Sequence, residues 1–530
     1  MNRKTLARAT ALVTALTIGS KLLGFVRDQV IALYFGASGQ TDAYLVAMTL
    51  PNLFMGVFVG AIGTAFLPVF SQRLVQDGDE AAWRVSDTIF ALTAGLGLVM
   101  AALGVALAPW LVRLMAPGFD ADTMHLAVAA TRIVFPAVVL AVLTGPLKAV
   151  LNSFQHFTAP AAAPIVQNLV ILVALVGLVG VAGVGVEGLA VGLATGMVLS
   201  VLMQFPALRR RGFRLRLRLD LHDPGVRRTL ALVAPLILGA LFGQVYVLVD
   251  RALASGLPAG SIAALSFADK LRQLPLGVFA AAVATVVYPS LSQMAARGDV
   301  TGLKDTLGIG IRLVALVTVP SAVGLMVLRE PLVRLLFQRG AFDAGDTAAT
   351  AAALLFYALG MVGLGANAVL VTAFYALRDT VTPVVIGGVG TVVNITLDYL
   401  LVGPLAHAGL ALANSVTALV STALLLVALH RRLGAMGYRQ MGLALGKVVA
   451  ASLVMGSVVL VMLGGGETKQ LAAPRLLTGA LGQVIWLAAM IIVGALVYLA
   501  GVLALRVEEA GLIRTAVSAR LRTRQRGGTL

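Results

Sequence analysis

A chain of 530 residues that is 59% hydrophobic and only 12% charged, with a mean hydropathy of +0.97, cannot wet the surface of a soluble globule, which carries about 25% charged residues. The composition points to an all-α polytopic membrane protein and argues against a soluble enzyme. The net charge of +17, from 40 Lys and Arg against 23 Asp and Glu, reads as basic loops on the cytoplasmic face of a membrane, and no nucleic-acid partner is expected. Cysteine is absent, so disulfides, thiolate metal sites and cysteine catalysis are ruled out.

From the N-terminus, apolar stretches bounded by Gly, Pro and charge predict helices over 8–35, 41–71, 86–115, 123–154, 160–182, 187–207, 226–254, 261–293, 303–336, 346–376, 381–403, 408–430, 441–463 and 477–505. That makes fourteen spans at the roughly 20 residues a bilayer requires, and the segments are too long for the roughly 10-residue strands of a membrane barrel. The first 16 residues have a basic start and an apolar run without a small-residue cleavage site, so they are read as part of a retained first span.

The even-numbered loops and the tails hold Arg3, Lys4, Arg8, Arg73, Arg84, Arg297, Lys304, Arg378, Arg431, Arg432, Arg439, a cluster from Arg209 to Arg228, and Arg506, Arg514, Arg520, Arg522, Arg524 and Arg526. The odd-numbered loops hold only Arg113, Arg339, Lys469 and Arg475. Both termini are therefore expected in the cytoplasm.

The chain also repeats itself. Leu50 to Gln72 matches Leu271 to Gln293 at 10 of 23 positions, including Gly56/Gly277, Pro68/Pro289 and Gln72/Gln293, where biased composition alone gives about a tenth. The same offset of 221 aligns Gly188-Leu189-Ala190 with Gly409-Leu410-Ala411 and Arg210-Arg211 with Arg431-Arg432. Six spans per copy give two lobes of the same orientation, related by a pseudo-two-fold along the membrane normal, which is a transporter plan. The expected domains are an N-terminal lobe (1–208), a basic cytoplasmic linker (209–225), a C-terminal lobe (226–433), two extra spans (434–506) and a basic cytoplasmic tail (507–530). The linker's alternating Arg and apolar residues suit either contact with an anionic leaflet or a solvated loop.

Charges inside spans cost at least about 2.5–3.5 kcal/mol on insertion scales, so their positions are informative. Lys21, Arg27 and Asp28 lie in span 1, Asp42 opens span 2, and Asp269, Lys270 and Arg272 lie in span 8. Lys270 is about 100° around the helix from Asp269, which disfavours a pair between them, and the repeat aligns it with Thr49, so this cation belongs to one lobe only. Two readings stand: a cationic cavity for an anionic head group, or snorkelling and helix-tying salt bridges such as Arg27–Asp28. Asn394 and Asp398 share a helix face four residues apart. With Asp250 they offer hard oxygen ligands for a coupling cation, although Asp250 could equally pair with Arg251 and Asp398 could sit at the membrane edge. The five histidines show no metal-ligand spacing and no Walker loop is present.

Several segments carry a family resemblance. SKLLGFVRDQVIALYFGASGQTDAYLVAMTLPNLF (Ser20 to Phe54), FADKLRQLPLGVF (Phe267 to Phe279), FQRGAF (Phe337 to Phe342), RDTVTPV (Arg378 to Val384) and GPLAHAGLALA (Gly403 to Ala413) occur in order over nearly the whole chain. They resemble the MurJ/MviN lipid II flippases, members of the multidrug/oligosaccharidyl-lipid/polysaccharide superfamily. The resemblance implies two six-helix lobes forming a V, and a groove for the lipid tail made by spans 13 and 14. It also implies alternating access that carries lipid II across the bacterial inner membrane without enzymatic chemistry.

The same resemblance implies substrate-binding residues at Lys21, Arg27, Asp42, Asn52 and Lys270, with Asp28, Asp269 and Arg272 in structural or gating roles. It implies a sodium site of Asp250, Asn394, Asp398, the Leu410 carbonyl and Asn414, with no other cofactor. Two of the cavity cations are Lys where better-known members have Arg, which keeps the charge and loses the bidentate fork. The Arg that often follows Pro-Asn-Leu in span 2 is replaced here by Phe54. Expected partners are lipid II, membrane lipids and cell-wall synthases. The alternatives are export of a drug or of another polyprenyl-linked oligosaccharide, and a non-transporting scaffold for the synthases.

Overall fold

The computed structural model describes residues 3–213, 216, 218–242, 244–464 and 479–509, and every regular element among them is a helix. The cations expected at Lys469, Arg475, Arg514, Arg520, Arg522, Arg524 and Arg526 lie outside the described residues, as do most of the predicted tail and part of the basic linker, and the side chains of Arg3, Lys4 and Arg8 are likewise outside them. The chain divides into two compact units: Met1–Ala263 with Arg339–Asp343, and Ala264–Gln338 with Ala344–Leu530.

The first unit holds α1 (Arg3–Phe35), α2 (Gly39–Gln76), α3 (Gly78–Ala106), α4 (Ala108–Met115), α5 (Ala121–Ala141), α6 (Thr144–Ser153), α7 (Thr158–Ala174), α8 (Val186–Leu202), α9 (Phe205–Arg209), α10 (Pro224–Phe242) and α11 (Val245–Ser255). Where span 4 enters the bilayer, the Asp120 carboxylate caps α5 by accepting from the Thr123 N–H at 2.8 Å, supplying an acceptor to a helix end that lacks one. The unit's core gathers Phe66, Phe70, Val85, Leu147, Val150 and Leu208 from four helices. It continues into an aromatic cluster in which Trp83 meets Phe70, Phe154 and Phe213 at 5.6, 5.9 and 5.6 Å between ring centroids.

Phe213 lies within the basic linker, and two of the linker's later positions are fastened as well. The Asp220 N–H donates to Thr88 Oγ1 at 3.3 Å, and Arg73 pairs with Asp223 at 3.4 Å. The linker is thus seated at both ends on α2 and α3. The unit runs on beyond it, with α10 packed along α2, whereas the repeat places the lobe boundary within the linker.

The second unit is built from α12 (Ser261–Pro275), whose first turn belongs to the first unit, and from α13 (Ala281–Arg297), α14 (Val300–Phe337), α15 (Ala344–Leu359), α16 (Met361–Ala376), α17 (Val381–Leu433), α18 (Tyr438–Met462) and α19 (Ala480–Ala504). Its largest core joins α13, α14, α16 and α17 through Leu291, Leu307, Val369, Phe374 and Leu429.

Among the described residues nine helices are long and apolar enough to cross a membrane, or ten when the bent pair α15 and α16 counts as one. The difference from fourteen has physical origins. At 1.5 Å per residue the 53 residues of α17 would reach about 80 Å, far more than a ~30 Å hydrocarbon core. The helix in fact breaks at Ala406, whose φ of 49° and ψ of −134° are not helical, so it contains both predicted spans 381–403 and 408–430. The predicted spans 8–35, 226–254 and 261–293 are helical, each with its own interruption of apolarity or of the helix. The first carries Lys21, Arg27 and Asp28, the second is divided between α10 and α11 with Gln244 in a turn, and the third has a π-helical turn at Leu276–Ala280 directly after Pro275. Proline removes an N–H from the ladder, and a π turn is one way to absorb the loss.

The two ends of α17 meet. Arg432 Nη1 donates to Asp379 Oδ2 at 2.7 Å, and the same carboxylate accepts from the Thr382 N–H at 3.0 Å and the Thr382 hydroxyl at 2.8 Å. Within the RDTVTPV motif, then, Asp379 is a helix cap and a clasp. The Thr382 N–H and hydroxyl, helped by Arg432, hold the Asp379 carboxyl below the usual carboxylate range. Its contribution is therefore complete above the unfolded value of about 3.9 and is lost as pH falls through the lowered folded value. Protection factors for hydrogen exchange at Val381 and Thr382 should fall below about pH 4, and Asp379→Asn should remove that pH dependence.

Candidate functional site

The residues singled out in the sequence divide between the units. In the first, Arg27 on α1 donates to Asp28 Oδ1 from Nε at 3.1 Å and from Nη2 at 2.8 Å, and to Asn168 Oδ1 on α7 from Nη1 at 3.0 Å. Asn168 in turn donates to the Ser20 carbonyl at 3.2 Å. The salt-bridge reading of Arg27–Asp28 thus describes the geometry, and the pair ties α1 to α7. Asn168 was missed in the sequence, although an amide within an apolar span is a visible signal. Lys21 and Asn52 are exposed.

Asp42 is buried, and both its oxygens are used: the Gly260 N–H donates to Oδ2 and the Ala263 N–H to Oδ1, each at 2.7 Å. A carboxylate is well suited to the N-terminus of a helix, where N–H groups lack partners and the dipole is positive. Asp42 therefore caps α12 here, which differs from the substrate contact expected of it.

The surroundings of that cap are tightly closed. Gly260 has a φ of +89°, and a Cβ on it would lie 1.8 Å from the Ala37 carbonyl oxygen. The Ala341 N–H donates to the Leu33 carbonyl at 2.9 Å, and a Cβ on Gly340, φ +60°, would come within 2.3 Å of the same oxygen. The Gly118 N–H donates to Ser255 Oγ at 3.0 Å. These stitches join the segments after α1, α4, α11 and α14, all of them odd-numbered loops in the predicted topology and poor in cations. One end of the first unit is closed.

In the second unit Arg272 is 8% exposed. It pairs with Asp269, donates from Nη1 to Asn414 Oδ1 at 2.8 Å, and lies over the Tyr357 ring at 4.5 Å. The i,i+3 pairing with Asp269 leaves Lys270 on a different face, where its Nζ lies 5.9 Å from the Phe267 ring centroid, within cation–π range.

Of the expected sodium ligands, Asp250 lies in the first unit and the other four in the second. Asn394 and Asp398 are buried, at 2% and 0% exposed, and neither Asn394 amide atom has a hydrogen-bond partner among the described residues. A buried amide without partners is costly, and with the Asp398 carboxylate it makes a hard oxygen pair that fits a small cation. Asn414 departs from the expected set, because Arg272 engages its carbonyl oxygen.

The second unit also carries an apolar cavity of about 550 Å³ lined by α14, α18 and α19 together with Pro275 and Phe279, and including Pro320, Met455, Gly494 and Tyr498. This lies in the range of ligand pockets, roughly 300–1,000 Å³.

A model of the lipid II flippase MurJ family matches residues 31–469. The lipid II flippase MurJ of Burkholderia cenocepacia is 33% identical over 434 residues, covering 81% of this chain and 84% of its own. The probable lipid II flippase MurJ of Haemophilus influenzae is 30% identical and covers 94% and 99%. A solved structure titled lipid II flippase MurJ in the inward closed conformation superposes with a TM-score of 0.78 at 25% identity, covering 93% of this chain and 98% of that one. An inward-facing multidrug transporter of the MATE family shares the fold at a TM-score of 0.68 and 16% identity, covering 80% and 98%.

Proposed function

As the chain belongs to the lipid II flippase MurJ family, we propose that it carries lipid II from the cytoplasmic to the outer leaflet of the bacterial inner membrane by alternating access, with both termini in the cytoplasm. The observation that supports this reading is the stitched end of the first unit, where the odd-numbered loops close over the Asp42 cap. In the predicted topology that is the outer end, so its closure leaves the cytoplasmic side as the point of entry.

Lys21, Arg27 and Lys270 supply positive charge for the diphosphate, because anionic oxygens are well matched to ammonium and guanidinium donors. Arg27 enters this role with its fork already aligned by Asp28 and Asn168, and the exposed Asn52 adds a polar contact. Asp42 acts on the gate, releasing α12 when the outer end opens. The apolar cavity along α14, α18 and α19 takes the polyprenyl tail, which has no reason to leave a hydrocarbon environment. No bond is made or broken. Asn394 and Asp398 would hold a sodium ion, which when bound would neutralise a carboxylate buried in the helix bundle. Arg27 and Lys270 also give a membrane potential charges to act on.

The test is complementation. In cells depleted of their lipid II flippase, this chain should restore growth, and Lys270→Ala should abolish that rescue at equal membrane abundance. Failure of the wild-type chain despite good membrane expression would overturn the assignment, and full rescue by Lys270→Ala would remove the cationic cavity.

A further inference from the structure

The apolar cavity has one wall whose position is set by an unusual polar contact. In an α-helix the carbonyl of residue i accepts from the N–H of residue i+4, so Leu316 should accept from residue 320. Residue 320 is proline and has no N–H, which leaves the Leu316 carbonyl without its ladder partner in the middle of an apolar helix. In a bilayer such a group must find another donor. Tyr498 on α19 provides it, donating its hydroxyl to Leu316 O at 2.6 Å. Leu316, Pro320 and Tyr498 all line the cavity.

A second tie lies nearer the end of α19. Glu509, just beyond the helix, pairs with Arg312 on α14 at 4% and 17% side-chain exposure, and Lys447 on α18 donates to the Arg506 carbonyl at 3.3 Å. By contrast α18 and α19 meet through small residues: a Cβ on Gly494 would touch Val459 at 3.2 Å, and one on Gly501 would touch Ala451 at 3.1 Å. Backbone proximity at small residues holds the α18–α19 pair together without setting how far α19 stands from α14. Arg312 and Ile311 are one helical turn from Leu316, so the two ties act at neighbouring heights on the same helix.

We propose that Tyr498, through the carbonyl freed by Pro320, and the Arg312–Glu509 pair are positioning residues that fix the spacing of α19 from α14 and so set the groove to the width of a single prenyl chain. This rests on the reading of the cavity as the tail site. It makes Pro320 a designed vacancy in the helix ladder that docks a neighbouring helix. The tail wall then moves as part of the second unit.

The chain has no cysteine, so Glu330→Cys and Ile492→Cys, both at exposed positions, can carry a spin-label pair reporting the α14–α19 distance in nanodiscs. Tyr498→Phe keeps the ring and removes only the donor. Pro320→Ala restores an N–H that satisfies Leu316 within α14 and so displaces Tyr498. Each should broaden the distance distribution, and the double variant should broaden it no further. Each should also weaken binding of a long-chain polyprenyl diphosphate roughly three- to tenfold, the size of one interhelical hydrogen bond in a bilayer, while leaving binding of geranyl diphosphate unchanged. Unchanged distances in both variants would overturn the proposal. So would broadened distances with equal effects on the long and short chains. If the wild-type protein showed no preference for the long chain, the tail reading itself would fail, and the distance measurement would still decide the spacing role.

Discussion

Gly260→Val is expected to hold the stitched end open. The substituted Cβ would fall 1.8 Å from the Ala37 carbonyl at a φ of +89°, a backbone conformation that a β-branched residue adopts only with strain, so the first turn of α12 has to move away from Asp42. With Ala37→Cys as a reporter in a chain without other cysteines, an impermeant maleimide added from outside should label Gly260→Val at least about ten times faster than the Gly260 parent, since local opening worth 1.4 kcal/mol is tenfold in population. Rescue of depleted cells should be lost with it. Asp42→Ala should act in the same direction by stranding two buried N–H groups at about 1–3 kcal/mol each. Asp42→Asn should be milder, because its amide oxygen still accepts one of them. Unchanged labelling in both Gly260→Val and Asp42→Ala would rule out a closing role for this contact.

Arg272→Ala should strongly destabilise the second unit. It strips Asp269, Asn414 and Tyr357 of a common partner at once. Breaking a buried pair from one side costs about 3–5 kcal/mol. Asp269 retains 28% side-chain exposure, which lets water recover part of that and puts the expected loss near the lower bound. Arg272→Lys should recover the attraction to Asp269 but neither the reach to Asn414 nor the stacking on Tyr357, because an ammonium has no planar fork. Thermal unfolding in nanodiscs should therefore rank wild type above Arg272→Lys above Arg272→Ala. A lysine variant matching wild type would mean that the Asn414 and Tyr357 contacts contribute nothing.

The helices were legible because a bilayer demands length and apolarity, and those are properties of the sequence itself. Every predicted span has helix at its place. What hydropathy could not show was how the two spans fold back on one another: the predicted gap between 403 and 408 brackets the break at Ala406, but the meeting of their outer ends is evident only once Asp379 is seen on Arg432. The site was legible to the extent that its partners were local. The i,i+3 pairing of Asp269 with Arg272, and its separation from Lys270, follow from helix geometry alone. Asp42 stood out as an acid at the start of a span, yet its role was hidden because its partners are two main-chain N–H groups more than 200 residues away. Main-chain donors leave no mark in the sequence. Asn414 was read as an ion ligand from the family pattern, while its actual partner in the structure, Arg272, depends on how α12 lies against α17.

Asp42 and Ala263 are separated by 221 residues, the offset of the internal repeat, so the cap joins a position to its own counterpart. A duplicated chain that kept aspartate in both copies would have brought two carboxylates to one spot, where like charges repel. The second copy carries alanine and offers only its main chain. With aspartate in one half and alanine in the other, the two halves are unlike partners, one supplying an acid and the other the start of a helix.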